Sequence, residues 1–255
     1  MEFIDTHTHL FAEEFDADRT AVVQRAIQNR VSTMLLPNID VTSILALNNC
    51  AGLAPANCLP MMGLHPCSVG SNVKEELEVI KKELFERGIY RGVGEIGLDL
   101  YWDKTTAEAQ KAAFILQCEW AVELGLGVSM HTRNATYETI ACLKSLKKAP
   151  QGVFHCFTGS FEEATEILKL GFKLGIGGVV TYKNAHLPEV LKRIPLEQLV
   201  LETDAPYLPP VPYRGKRNES AYIPLIAEKL SDVYGVSVQT IADATTASAR
   251  SVFGL

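Results

Sequence analysis

At 255 residues, with 47% apolar and 21% charged residues, the chain can build one large core, which excludes a disordered or low-complexity protein. A formal charge of −6 excludes a globally basic nucleic-acid binder but leaves room for a local basic patch. The first ten residues carry no basic and apolar leader, and no apolar run approaches the roughly 18 residues of a membrane span, so a cytoplasmic protein with no membrane partner is expected.

Residues 3–9 predict a strand, on which Asp5, His7 and His9 would share one face. Two imidazoles one pleat apart can converge on a metal ion, and burying three polar side chains without such a partner is costly. The alternative is an exposed edge strand that happens to carry His-x-His. A helix is predicted over 16–29, a strand over 31–36 stopped by Pro37, a helix over 41–50, and a strand over 58–64 ending at His65-Pro66. A helix over 73–87 stops at Gly88, and a strand over 90–95 ends in Gly94-Glu95-Ile96-Gly97. Thr105 and Glu108 have capping-box spacing, and Ala113, Leu116, Trp120 and Leu124 form an apolar stripe that Gly125 ends. Strands over 126–130, 152–154, 172–176 and 198–201 alternate with helices over 136–147, 161–170 and 187–193. The first of these strands ends at His131, the second at His155 and the last at Glu202-Thr203-Asp204. A Pro-rich loop over 206–212 precedes helices over 223–234 and 238–253. Six cysteines with no C-x-x-C pair read as reduced, mostly buried thiols, Cys156 among them.

Eight strands in strict alternation with helices favour a parallel sheet, and eight units in this length favour a TIM (β/α)8 barrel, a single α/β domain over 1–255. No Gly-x-Gly-x-x-Gly follows the first strand, which weakens a dinucleotide-binding fold. On this map His7, His9, His65, Glu95, His131, His155 and Asp204 all fall at strand ends, which share one mouth in such a barrel. Only His186 among the histidines lies elsewhere, and it is expected to be exposed. Four imidazoles plus Glu95 and Asp204 exceed what one tetrahedral zinc needs and suit two divalent ions sharing a carboxylate. Mixed imidazole and carboxylate donors fit Zn, Mn or Co, and Mg if waters complete its shell.

Seven ordered segments resemble the motif set of the TatD family of metal-dependent hydrolases: Ile4 to His9, Gly63 to Pro66, Gly94 to Asp99, His131 to Arg133, His155 to Ser160, Glu202 to Leu208 and Pro212 to Glu219. The resemblance implies an amidohydrolase-like barrel and deoxyribonuclease activity, often 3′→5′ exonucleolytic. It implies that His7, His9 and Asp204 hold one ion, that His131 and His155 hold the other, and that Glu95 bridges. Leu100, Gly127 and Ser220 depart from the family pattern where Tyr, Pro and Pro are usual; none is an implied ligand.

Around these ligands, Asp204 is read as the group that also orients or deprotonates the attacking water. Glu202 helps to activate water or orients a ligand, and His65 contacts the scissile phosphate, protonates a leaving oxygen or merely packs before Pro66. Arg133 reads as a phosphate ligand or a surface ion pair. Arg214, Lys216 and Arg217 are expected to grip a nucleic-acid backbone and Tyr101 and Trp102 to stack on bases; the alternatives are a solvated loop and a helix-packing aromatic pair. The expectation is a monomeric two-metal nuclease acting on DNA, possibly RNA. A metal-dependent deacylase acting on an ester or amide such as aminoacyl-tRNA keeps the same site. A noncatalytic binding barrel does not explain a complete ligand set.

Overall fold

The computed structural model describes residues 1–255. Eight parallel strands run β1 (Phe3–Asp5), β2 (Val31–Pro37), β3 (Cys58–Met61), β4 (Gly92–Asp99), β5 (Gly127–Arg133), β6 (Gly152–Phe154), β7 (Lys173–Ile176) and β8 (Leu199–Leu201). They pair as β1-β2-β3 and β4-β5-β6-β7-β8. Two seams close the barrel: Thr6 donates to the Leu201 carbonyl at 3.0 Å, and the Met62 amide donates to the Gly92 carbonyl at 3.1 Å. The α/β barrel expected from strict alternation is the observed fold.

Helices α1 (Arg19–Gln28), α2 (Ile44–Leu53), α3 (Val73–Arg87), α4 (Ala107–Leu124), α5 (Thr136–Ser145), α6 (Phe161–Lys169), α7 (Leu187–Leu191), α8 (Ile223–Tyr234) and α9 (Val238–Phe253) complete the chain. None is long and apolar enough to cross a membrane. The barrel floor is a separate apolar cluster. Ile4, Leu35, Met61, Val153 and Val200 come from five strands, and Ala249, Val252 and Phe253 of α9 cover them. Gly127 makes that closure possible, because a Cβ there would run into the Val252 carbonyl. With the floor filled by side chains, the open end is the carboxyl end of the strands.

Several element boundaries differ from the sequence reading. β1 stops at Asp5 rather than running through His9, and Thr8 makes only an isolated bridge to Ala205. The regular pairing is interrupted at Asp5: its buried carboxylate accepts from the His7 amide, the Thr203 amide and the Thr203 hydroxyl, which draws the chain toward β8, while the Thr8 amide still reaches the Leu35 carbonyl of β2 at 3.1 Å. Asp5 therefore pins the β1–β8 seam and is not a third ligand beside His7 and His9. Burial pushes its carboxyl up to about 7 against those hydrogen bonds. β3 ends at Met61, before His65, whereas β4 continues past Glu95 to Asp99.

The capping box expected at Thr105 and Glu108 is absent. Thr106 occupies the N-cap without a side-chain bond, Thr105 bonds Asp103, and Glu108 pairs with Lys111. The stripe on α4 is also rotated: Leu116 is 37% exposed, while Gln110 and Gln117 are buried. These two glutamines, two turns apart on one face, bond the main chain of Asp99 and Leu64 and so hold two strand ends at the mouth.

Candidate metal centre

Glu95 is the centre of the mouth. Its amide donates to the Asn38 carbonyl at 2.8 Å, which ties it to the end of β2. Gly97, at φ 146°, lets β4 approach β5 so closely that a Cβ would strike the His131 carbonyl. The two carboxylate oxygens of Glu95 then face different partners. Oε2 lies 3.2 Å from His7 Nε2 and 3.4 Å from His9 Nε2. Oε1 lies 2.8 Å from His155 Nε2, 2.9 Å from His131 Nδ1 and 3.4 Å from His65 Nε2.

Asp204 completes the first group. Its Oδ1 lies 3.5 Å from His9 Nε2 and 3.9 Å from His7 Nε2, and its amide donates to the His7 carbonyl at 2.9 Å. Asp204 has a left-handed φ of 56°, a conformation that costs a non-glycine residue about 1 kcal/mol or more and that clusters at functional sites.

Neighbours fix which ring nitrogens face inward. His7 Nδ1 is 2.8 Å from the Ser129 hydroxyl, which leaves Nε2 for the centre. His131 Nε2 is 3.0 Å from Asp99 Oδ2, which leaves Nδ1 for the centre. His65 is different. Its Nδ1 accepts from the Cys67 amide at 3.0 Å, so the neutral ring carries its proton on Nε2, toward Glu95. That tautomer makes His65 a hydrogen-bond donor at the mouth rather than a ligand.

Glu202 is fully buried behind His155. Its Oε1 accepts from the Cys156 amide and lies 3.6 Å from His155 Nδ1, and Gly175 leaves the space its Oε2 fills. Of the two roles expected of Glu202, activating water or orienting a ligand, this position behind the His155 ring suits the second. Cys156, half-buried, is held well above its ordinary value by burial and by the carboxylates of Asp204, Glu202 and Glu95, so it stays a neutral thiol.

Burial raises the Glu95 carboxyl, but the imidazoles of His155, His65 and His7 outweigh it and hold the group well below the usual carboxylate range. Burial lowers His9 and His155, and the carboxylates overcome it: Asp204 and Glu95 bring His9 to about 9, and Glu95 with Glu202 holds His155 well above its ordinary value. His7 is lowered, by burial and by His155. Asp204 is lowered because its bond to His9 outweighs burial.

The donor set fits divalent metal. His7 Nε2 and His9 Nε2 lie 3.2 Å apart and face one oxygen, as do His131 Nδ1 and His155 Nε2, 3.4 Å apart. One proton cannot satisfy such pairs of inward lone pairs, whereas a divalent ion accepts both.

The residues expected to bind substrate separate into two sets. Arg133, Tyr101 and Trp102 come together beside the centre: the Arg133 guanidinium lies 3.9 Å from the Tyr101 ring and 5.2 Å from that of Trp102. Both aromatics are exposed, so helix packing is not their role. The basic loop divides. Arg214 rests over Tyr182 at 4.3 Å and Lys216 lies 5.8 Å from the Tyr213 ring, neither with a carboxylate partner. Arg217 is structural instead: it bonds both oxygens of Asp18 at 2.8 Å and the Glu14 carbonyl at 2.6 Å, and it stacks on Phe15. His186 is exposed, as expected.

The sequence reading assigned no role to Asp99 or Ser129, although the signal was present for both. Ser129 precedes His131 by two residues and Asp99 follows Glu95 by four, both spacings that keep one face of a strand.

Comparison with known proteins finds relatives over nearly the whole chain. The profile of the family described as TatD related DNase matches residues 4–254. The chain is 38% identical over 254 residues to the uncharacterized metal-dependent hydrolase YabD of Bacillus subtilis, covering 98% of each chain. It is 35% identical over 254 residues to the 3′-5′ ssDNA/RNA exonuclease TatD of a Rahnella species, covering 97% of this chain and 96% of that one. The crystal structure of YjjV, a TatD homologue from Escherichia coli K12, superposes with a TM-score of 0.92 at 30% identity, over 99% of this chain and 98% of that one. The chain belongs to the TatD-related DNase family of metal-dependent hydrolases.

Proposed function

We propose that this protein is a two-metal nuclease that hydrolyses phosphodiester bonds of DNA, with RNA as a further substrate, from the 3′ end. The observation that carries the reading is the division of Glu95, one oxygen toward His7 and His9 and the other toward His131 and His155. That division supports two ions: His7, His9 and Asp204 would hold one, His131 and His155 the other, with Glu95 shared. Zn, Mn or Co suits the imidazole-rich set best. The exonuclease name of the Rahnella relative supports the substrate and the polarity.

Bound divalent ions supply Lewis acidity toward the phosphodiester and acidify the attacking water. Asp204, kept ionised beside His9, accepts that water's proton at its carboxylate. His65 presents Nε2–H at the rim of the centre, where it donates to a phosphate or leaving oxygen. Ser129 and Asp99 hold the rings of His7 and His131, and the Glu202 carboxylate stands behind that of His155.

The test is digestion of end-labelled DNA and RNA by metal-free protein given Mg, Mn, Zn or Co. The expected result is stepwise shortening from the 3′ end with at least one metal. Hydrolysis of an ester or amide in place of every nucleic acid would transfer the site to a deacylase.

The two halves of the basic loop are expected to behave differently. Changing Arg214 and Lys216 to Ala should weaken single-strand binding and flatten its log–log salt dependence by about 0.7 per lost phosphate contact. Arg217→Ala should leave that slope unchanged and lower Tm by about 2–4 °C, the scale of roughly 1 kcal/mol at this size. Arg217, bonded to Asp18, holds that carboxyl down at about 2. The ion-pair part of the contribution is therefore present above pH about 4 and lost as pH falls through about 2, so the difference in Tm should shrink at the acid end to what the Glu14 carbonyl bond and the Phe15 stack supply. Salt titrations and melts of the variants decide both points.

A further inference from the structure

Asp99 ends β4, opposite Arg133 in the β4–β5 register, and it is buried. Gln110 of α4 fixes its main chain, accepting from the Asp99 amide at 2.9 Å and donating to its carbonyl at 3.1 Å. Its two carboxylate oxygens do different things. Oδ2 lies 3.0 Å from His131 Nε2, on the ring whose Nδ1 faces Glu95 at 2.9 Å. Oδ1 accepts the amides of Tyr101 at 2.9 Å and of Trp102 at 3.3 Å.

Those two amide bonds turn the chain so that the rings of Tyr101 and Trp102 meet edge to face, 4.9 Å between centroids, against the Arg133 guanidinium. Tyr101 is 51% and Trp102 70% exposed. Two large aromatics left in water beside a buried ligand cluster, with a cation against them, form a surface that an unpaired base and its phosphate can engage. A paired base inside a duplex stack cannot present its face there.

We propose that Asp99 is a positioning residue that couples the metal centre to a base-stacking shelf. One oxygen holds His131 among its ligand partners, and the other builds the shelf of Tyr101 and Trp102. An unpaired terminal base is thereby held at a fixed offset from the ligands, which selects single strands. This rests on the nuclease reading and extends it to how the strand is seated.

The two tasks can be separated. Asp99→Asn keeps an oxygen for the two loop amides, but its amide nitrogen cannot accept from His131 Nε2–H. Asp99→Ala removes both tasks, and Tyr101→Ala with Trp102→Ala removes the shelf alone. Three readouts need no cleavage: calorimetric titration of metal-free protein with Zn²⁺, acrylamide quenching of tryptophan fluorescence, and binding of a labelled oligothymidylate. The other tryptophan, Trp120, is 4% exposed, so quenching reports Trp102.

Asp99→Asn is expected to weaken Zn²⁺ binding at one site by about tenfold to a hundredfold, with quenching and oligonucleotide affinity unchanged. Asp99→Ala should show the same metal loss, altered quenching and oligonucleotide binding weakened by about fivefold or more. The shelf variant should bind Zn²⁺ normally and the oligonucleotide weakly. If the unaltered protein cleaves DNA, wild-type Zn²⁺ affinity in Asp99→Asn or wild-type quenching in Asp99→Ala overturns the coupling alone. If the unaltered protein takes up Zn²⁺ but neither binds nor cleaves the oligonucleotide, the nuclease reading falls with it.

Discussion

Single-turnover cleavage of a labelled oligonucleotide by Asp204→Asn is expected to be about a hundredfold or more slower than by the unaltered protein, with binding of the oligonucleotide little changed. Asn keeps the size of the side chain and one oxygen toward His9 and His7, so the backbone bond from residue 204 to the His7 carbonyl and the local turn should survive. What is lost is the charge and the basicity. Asp204 is ionised in spite of burial because His9 stands beside it, and an amide cannot take up a proton in its place. The proposed binding surface lies elsewhere, on Arg133, Tyr101, Trp102, Arg214 and Lys216, which is why affinity and rate should separate. Cleavage by Asp204→Asn at the unaltered rate would assign the activity to another site or to a contaminant. Equal losses of rate and affinity would make residue 204 a binding group.

The barrel and the gathering of histidines and carboxylates at its mouth were legible because both depend on local pattern. Short apolar runs ending in Pro37, His65, His131 and His155 mark strand ends, and a parallel barrel gathers strand ends whatever their exact lengths. The boundaries were not legible, because distant residues set them. β1 stops where Asp5 reaches Thr203, 198 residues away, and β4 runs on to Asp99 because Gly97 admits the β5 backbone. The fate of the three cations shows the same limit. Arg214, Lys216 and Arg217 look alike in sequence, yet Asp18 and Phe15, close to the other end of the chain, take Arg217 out of the group. The polar residues behind the ligands lay at readable spacings, but nothing in the spacing says that Asp99 divides its oxygens between His131 and a loop. A buried glutamine such as Gln110 gives still less signal, since helix periodicity assigns polar residues to solvent.

Glu95→Ala is expected to purify with neither metal, whereas His155→Ala should retain one. The contrast follows from the two oxygens. His7 and His9 meet Oε2 and His131 and His155 meet Oε1, so deleting the carboxylate removes a donor common to both groups, while deleting His155, whose ring stacks on His7 at 3.8 Å, removes a donor from the second. Burial sharpens the effect. Glu95 is ionised only because the surrounding imidazoles outweigh the cost of desolvation, and without it the two groups of imidazoles would lose the one carboxylate they share. Glu95→Gln is the intermediate case: it keeps one oxygen, drops the charge, and should hold no more than one ion. Metal content of the purified variants, measured after equilibration with excess Zn²⁺ and removal of the free ion, reads all three. The expected order is two ions in the unaltered protein, one in His155→Ala, one or fewer in Glu95→Gln and none in Glu95→Ala. Loss of a single ion in both Glu95→Ala and His155→Ala would remove the shared role of Glu95 and leave the two groups as independent sites.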